Sequence, residues 1–279
     1  MNRNRRFAER PARGLSRAAG RRNARAYVPP GETDGRDREE ADFVRYVAPP
    51  MSLADLGSRF RVTVNSVPKS GTVWMAAMLA HLLGLDVDRQ VVLTHVNDIR
   101  AGRLDPDLQG TVVVVRDLRD VVVSWHHELV RSDARCGFPG PRYPTAEAFY
   151  FEHFIGLVRS SPRYAHGRLE EWLDYVTGRG YPLVRYEDMM ADPSAALGKV
   201  LRFWKIDVPA EAIVETAAAH AFARMPATVA RTPGFVRRMV QAGHLRRGVV
   251  GSWRDELPAA VQDDIASRFG EYQSRGGYR

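Results

Sequence analysis

The chain has 279 residues, 44% of them hydrophobic and 27% charged, ordinary values for a globular protein and ample length for a buried core. No apolar run approaches the roughly eighteen residues that a membrane span needs, which excludes a transmembrane protein. The single cysteine, Cys136, excludes an intramolecular disulfide or a cysteine-built zinc site, so a reducing cytoplasm is the expected location. The formal net charge is +8, but residues 1–26 hold nine arginines (Arg3, Arg5, Arg6, Arg10, Arg13, Arg17, Arg21, Arg22, Arg25) against Glu9. That surplus equals the charge of the whole chain, so the rest is formally neutral and no specific nucleic-acid partner is expected.

In chain order, residues 1–40 read as an arginine-rich disordered tail and linker. They offer little to bury, contain no apolar core of a secretory signal, and end in Pro29-Pro30-Gly31 and a mixed-charge stretch. A single domain is expected over 41–279. Within it, β-branched residues predict a strand over Arg61–Val67, helical periodicity follows over Thr72–Leu83, and Val91–Thr94 is a short strand. Thr111–Arg116 (TVVVVR) is a continuous apolar run of the kind buried on both faces in a parallel sheet, with an amphipathic helix from Arg119. Pro162–Val176 places Leu169, Trp172, Leu173 and Val176 on one helical face, Tyr181–Tyr186 reads as a strand, and Pro193–Trp204 reads as a helix. The alternation predicts an α/β fold, a three-layer sandwich around a mainly parallel central sheet.

The first strand runs directly into Pro68-Lys69-Ser70-Gly71-Thr72-Val73-Trp74 and then a helix. The unpaired N–H groups and positive dipole end of a helix's first turn attract an anion, and glycine lets backbone approach phosphate closely. Lys69 is one of three lysines, against 38 arginines, and adds a point charge, while Ser70 and Thr72 add hydroxyl donors. On local grounds alone the same residues suit an ordinary turn with a capped helix. The segment does not match G-x-x-x-x-G-K-[ST], so an ATP-type loop is not indicated.

PKSGTVW resembles the PKSGTTW phosphosulfate loop of the cytosolic-type sulfotransferases, which use 3′-phosphoadenosine 5′-phosphosulfate (PAPS). Three more segments follow in that family's order: VVVVRDLRDVVVSW at 112–125, LVRYEDMMADP at 183–193 and GHLRRGVVGSW at 243–253. The resemblance implies a P-loop-like sulfotransferase fold, PAPS as co-substrate, 3′-phosphoadenosine 5′-phosphate (PAP) as product, and no metal. It implies that Lys69, Ser70, Gly71 and Thr72 bind the 5′-phosphosulfate, that Trp74, Tyr186 and Phe222 contact the adenine, and that Arg116, Ser124, Arg246, Arg247 and Gly248 hold the 3′-phosphate. Read without it, Trp74 also suits the core, Arg116 could be satisfied by Asp117 or Asp120, and Arg246-Arg247 could be surface charge.

His95, in Val92-Leu93-Thr94-His95, corresponds to the family's Lys-Thr-His element and is the candidate base. Imidazole, titrating near pH 6.5, can take a hydroxyl proton around neutrality. His126 and His127 are its rivals. Leu93 stands where the family has lysine, Val73 replaces a threonine and Ser252 replaces an aspartate. The implied reaction is in-line transfer of a sulfuryl group from PAPS to a hydroxyl, or an amine, of a small-molecule acceptor, with His95 as base and Lys69 stabilising the leaving oxygen. The alternatives are a nucleotide kinase or NTPase with an unusual loop, and a non-catalytic nucleotide- or polyanion-binding protein. Ser132–Tyr150 and Pro226–His244 are expected to shape the acceptor pocket.

Overall fold

The computed structural model describes residues 51–56, 60–96, 109–160, 169–230, 234, 237–239 and 247–278. The arginine-rich tail and Arg246 therefore lie outside the described residues. The described residues form six strands: β1 (Met51–Ser52), β2 (Arg61–Ser66), β3 (Val91–His95), β4 (Gln109–Val115), β5 (Leu183–Arg185) and β6 (Ile206–Asp207). The helices that frame them are α1 (Thr72–Leu82), α2 (Val87–Gln90), α3 (Leu118–Arg135), α4 (Ala146–Phe149), α5 (Ile155–Ser160), α6 (Leu169–Gly178), α7 (Tyr186–Ala191), α8 (Pro193–Trp204), α9 (Ala210–Ala219) and α10 (Met225–Ala230). Shorter helices follow at Trp253–Glu256, Ala259–Arg268 and Gly270–Arg275.

Four strands form one sheet in the order β3-β2-β4-β5, all parallel, and β1 pairs with β6 in a second, two-stranded piece. The run of valines in β4 explains the layering. Val112 and Val114 face a core built with α1, α7 and α8, while Val113 and Val115 face another built with α3, α6 and the C-terminal helices. Period-2 alternation of one apolar run thus seals both faces of the sheet. This is the predicted α/β arrangement, with small shifts at the ends. β3 extends one residue further, so His95 is its last residue, and the helix expected from Pro162 is described from Leu169.

Register sets where the site forms. Ser66 at the end of β2 is level with His95 on β3 and Val114 on β4, and Val115 is level with Arg185 on β5. The carboxyl ends of all four strands therefore open on one edge, where α/β sheets bind ligands. A buried polar knot fixes this edge: Asn65 donates to the Thr94 hydroxyl (2.9 Å) and accepts from the Trp172 indole N–H (2.8 Å), tying β2 to β3 and α6. Both partners of Asn65 are supplied from within the fold, so the amide is buried without an orphaned charge or dipole.

Candidate active site

The loop from β2 to α1 owes its shape to two residues in left-handed backbone, Lys69 at φ +70° and Gly71 at φ +92°. Glycine is needed at the second, because a Cβ there would lie 2.7 Å from Cδ2 of Tyr186. Gly71 occupies the N-cap of α1 with no side-chain cap, so the first-turn N–H groups point into the crevice without an intrahelical acceptor. Ser66 and Thr72 hydroxyls meet at 2.5 Å and lock strand to helix. Ser70 is fully buried, and its Oγ has no hydrogen-bond partner in the described structure. An orphaned hydroxyl, an uncapped helix start and a side-chain-free approach together make a cradle whose chemistry fits an anion.

A cavity of about 270 Å³ opens from this loop. It is lined by Lys69, Gly71, Thr72, Trp74, His95, Arg116, Ser124, Tyr186, Phe222, Arg247 and Gly248, together with Pro68, Val73, Leu93, Trp125, Glu128, Met239, Val249 and Ser252. Of the residues expected at the site, Ser70 is fully buried and is not among those that line the cavity, and Arg246 is outside the described residues. Trp74 lines the cavity and is only 4% exposed, its indole N–H donating to the His220 carbonyl at 2.9 Å. Gly248, at φ +61°, lies against Phe222 so closely that a Cβ would run into the ring.

Arg116 follows the end of β4 and is buried. It donates to the carbonyls of Lys69 (2.9 Å) and Val249 (3.4 Å), and its guanidinium lies 4.0 Å from the centroid of the Tyr186 ring. One cation thus joins the loop between β2 and α1 to Val249. Its Nε has no partner in the described structure. Asp120 is 4.0 Å from Arg116, while Asp117 is taken by Arg119 at 2.7 Å, so neither acid neutralises Arg116 closely. Asp120 has another task that sequence reading missed. It accepts from the Gly251 N–H (2.7 Å), the Trp253 N–H (3.2 Å) and the Ser252 hydroxyl (3.3 Å), pegging the segment that carries Arg247 and Gly248 to α3.

His95 is the histidine on the cavity wall. Its Nδ1 is 3.3 Å from the Ser66 carbonyl, which can only accept, so Nδ1 carries a hydrogen and, in the neutral ring, the lone pair is on Nε2. The rivals are engaged elsewhere: His126 Nε2 bonds the Tyr143 carbonyl at 2.9 Å, and His127 pairs with Glu256 at 2.5 Å. Glu256 also lies 4.0 Å from Arg247. Lys69 pairs with Glu128, the second residue that sequence reading missed. Burial pulls the Lys69 ammonium below the ordinary lysine range, partly offset by the Glu128 carboxylate. Glu128 stands one helical turn beyond Ser124, so the i,i+4 spacing was the available signal. Among the described residues, none from 132–150 lines the cavity, whereas Met239 of the second expected loop does.

A sulfotransferase-domain family model matches residues 104–275, and the chain belongs to that family. Rat sulfotransferase 1 family member D1 is 26% identical over 164 residues, 57% of this chain and 52% of the relative. Rat sulfotransferase 1E1 is 25% identical over 171 residues, 59% of this chain and 53% of the relative. The matched region spans about half the length of these relatives. Among solved structures, mouse sulfotransferase SULT7A1 complexed with PAP superposes with a TM-score of 0.60 at 20% identity, covering 80% of this chain and 89% of that one. A retinol dehydratase in complex with androsterone and PAP gives 0.54 at 15% identity, covering 79% and 84%. The fold is therefore that of the sulfotransferases.

Among the described residues no helix is long and apolar enough to cross a membrane, and no three His, Cys, Asp or Glu side chains converge as metal ligands.

Proposed function

We propose that this protein transfers the sulfuryl group of PAPS to a hydroxyl, or less readily an amine, of a small-molecule acceptor. The observation that carries the reading is that one cavity at the carboxyl ends of β2–β5 brings together Lys69, two arginines, aromatic side chains and a histidine. PAPS, when bound, supplies an activated sulfuryl group on a phosphate leaving group. Thr72 and the uncapped start of α1 would hold its 5′ end, with Lys69 opposing charge on the leaving oxygen. Arg116, Ser124, Arg247 and Gly248 would hold the 3′-phosphate. Trp74, Tyr186 and Phe222 would enclose the adenine.

His95 would accept the acceptor's proton on Nε2, its Nδ1–H anchored on the Ser66 carbonyl so that the ring keeps one tautomer. Leu93, Trp125, Met239 and Val249 give the wall an apolar stretch, suited to an acceptor that presents its hydroxyl on an apolar body. The exposed thiol of Cys136 accords with a reducing cytoplasm.

The test is thermal protection. PAP at a hundredfold excess over Kd should stabilise the protein by about 2.7 kcal/mol. At about 2–4 °C per kcal/mol for a domain of this size, the melting temperature should rise by about 5–11 °C. Protection by ATP and not by PAP would move the assignment to a kinase or NTPase. Incubation with PAPS and a library of phenols and alcohols, read by mass spectrometry for sulfate esters, identifies the acceptor.

A further inference from the structure

We propose that Glu128 is an internal counter-ion for Lys69, a positioning residue that occupies the lysine until the phosphosulfate end of the donor displaces it, and so sets donor affinity. The inference rests on the donor reading above. Glu128 is the only acidic side chain among the described residues that line the cavity, where Lys69, Arg116 and Arg247 supply positive charge. Its carboxylate makes an ion pair with the Lys69 ammonium, and the two side chains are only 18% and 9% exposed. A carboxylate buried beside an anion-binding loop opposes any anionic ligand there, and in a poorly solvated site that opposition is weakly screened.

The pair is placed for exchange. The backbone at Lys69 is already set at φ +70°, and its carbonyl is held by Arg116 at 2.9 Å. Moving the ammonium from Glu128 to a phosphate oxygen therefore needs only a swing of the four-carbon stem, with the loop unchanged. Glu128 is presented from α3 on the face that also carries Ser124 one turn earlier.

Removing the carboxylate has two effects of opposite sign. It deletes a repulsion toward the donor, which favours binding. It also leaves Lys69 buried with the positive charges of Arg131, from α3, and Arg116, from the end of β4, and with no counter-charge from Glu128. His95 and Arg247 face the same cavity. The ammonium then loses its proton at a lower pH, because both burial and the neighbouring cations disfavour it. A merely structural glutamate would produce neither the tighter binding nor the altered titration.

The experiment compares wild type with Glu128→Gln in two readouts. PAP affinity by calorimetry at pH 6.5, the acid end of the range, should be about tenfold tighter in the variant, and the advantage should shrink as pH rises toward 9. Acylation of Lys69 by acetic anhydride across the same range, followed by peptide mass spectrometry, should move its midpoint down by about one pH unit or more. The other two lysines, Lys199 and Lys205, are exposed and serve as internal references. Glu128→Asp, which keeps the charge, should stay near wild type in both readouts. Glu128→Met, neutral and of similar volume, replaces the glutamine variant if that one does not fold. Unchanged or weaker PAP binding at pH 6.5, or an unmoved Lys69 titration, overturns the proposal. Failure of the wild type to bind PAP would instead sink the donor reading, while the acylation readout would still report whether Glu128 controls Lys69.

Discussion

Asp120→Asn isolates the peg that holds the 247–253 segment. The carboxylate has no exposed side-chain surface and accepts three hydrogen bonds, with Gly251 N–H on one oxygen and Trp253 N–H and Ser252 hydroxyl on the other. Asparagine keeps the shape but offers one acceptor oxygen, so its amide must face either the Gly251 N–H or the Trp253 and Ser252 donors. The smaller loss forfeits the 2.7 Å bond to Gly251 and leaves donor facing donor. Hydrogen bonds to charged groups contribute about 1.5–3 kcal/mol, and an unsatisfied buried N–H costs about 1–3 kcal/mol, so a loss of about 3 kcal/mol is expected. At about 2–4 °C per kcal/mol, the melting temperature should fall by about 6–12 °C. If about 1.4 kcal/mol of that reappears as ordering that the ligand must restore at Arg247 and Gly248, PAP affinity falls about tenfold. Calorimetry and thermal melts on the same preparation read both. A melting temperature within about 1 °C of wild type, with unchanged PAP affinity, would refute the peg.

His95→Ala should lower kcat by about 10²–10⁴ while PAP affinity stays within a few-fold, and undiminished turnover would remove His95 from the chemistry. Gly71→Ala places a Cβ in left-handed backbone and against Tyr186, costing at least about 1–2 kcal/mol. A melt that drops by several degrees, together with weakened PAP protection, is the expected result. Lys69 has a folded pKa below its unfolded value, so PAP affinity should be full below the folded pKa and decline as pH rises through it, while the stability of the ligand-free protein gains slightly over the same interval. Titrations from pH 7 to 10 check this, and Lys69→Arg, which keeps its proton, should flatten the decline. Deleting residues 1–40 should leave kcat unchanged, whereas loss of turnover would make the arginine-rich stretch part of the enzyme.

The shape of the loop from β2 to α1 was legible because its requirements are local: a strand, a glycine at positive φ and a helix start occupy neighbouring residues, and only the backbone decides their geometry. Arg116 was legible for a related reason, since it ends a strand whose unbroken valines mark it as central. The roles of Glu128 and Asp120 were not. Both lie on α3 near a basic residue, Asp120 directly after Arg119 and Glu128 three before Arg131, which reads as a solvated pair, and only the crossing of α3 against the β2 loop and the 247–253 segment gives them partners. Trp74 shows the same limit differently. Sequence offered core or ligand contact as alternatives, and the side chain is buried on the His220 carbonyl while it also lines the cavity, a combination that the pattern of residues does not show.

The turn that aims Arg116 is closed by residues far downstream. Tyr272 donates to the Arg116 carbonyl at 3.2 Å, and Gln273 both donates to Asp117 and accepts from the Leu118 N–H, 155 positions along the chain from its partner. During synthesis the valine-rich sheet can assemble as soon as its strands emerge, but the arginine's platform must wait until the helix at Gly270–Arg275 has left the ribosome. A nascent chain stalled at 250 would carry a nearly whole sheet with its anion crevice unbraced, a species for chaperones to shield.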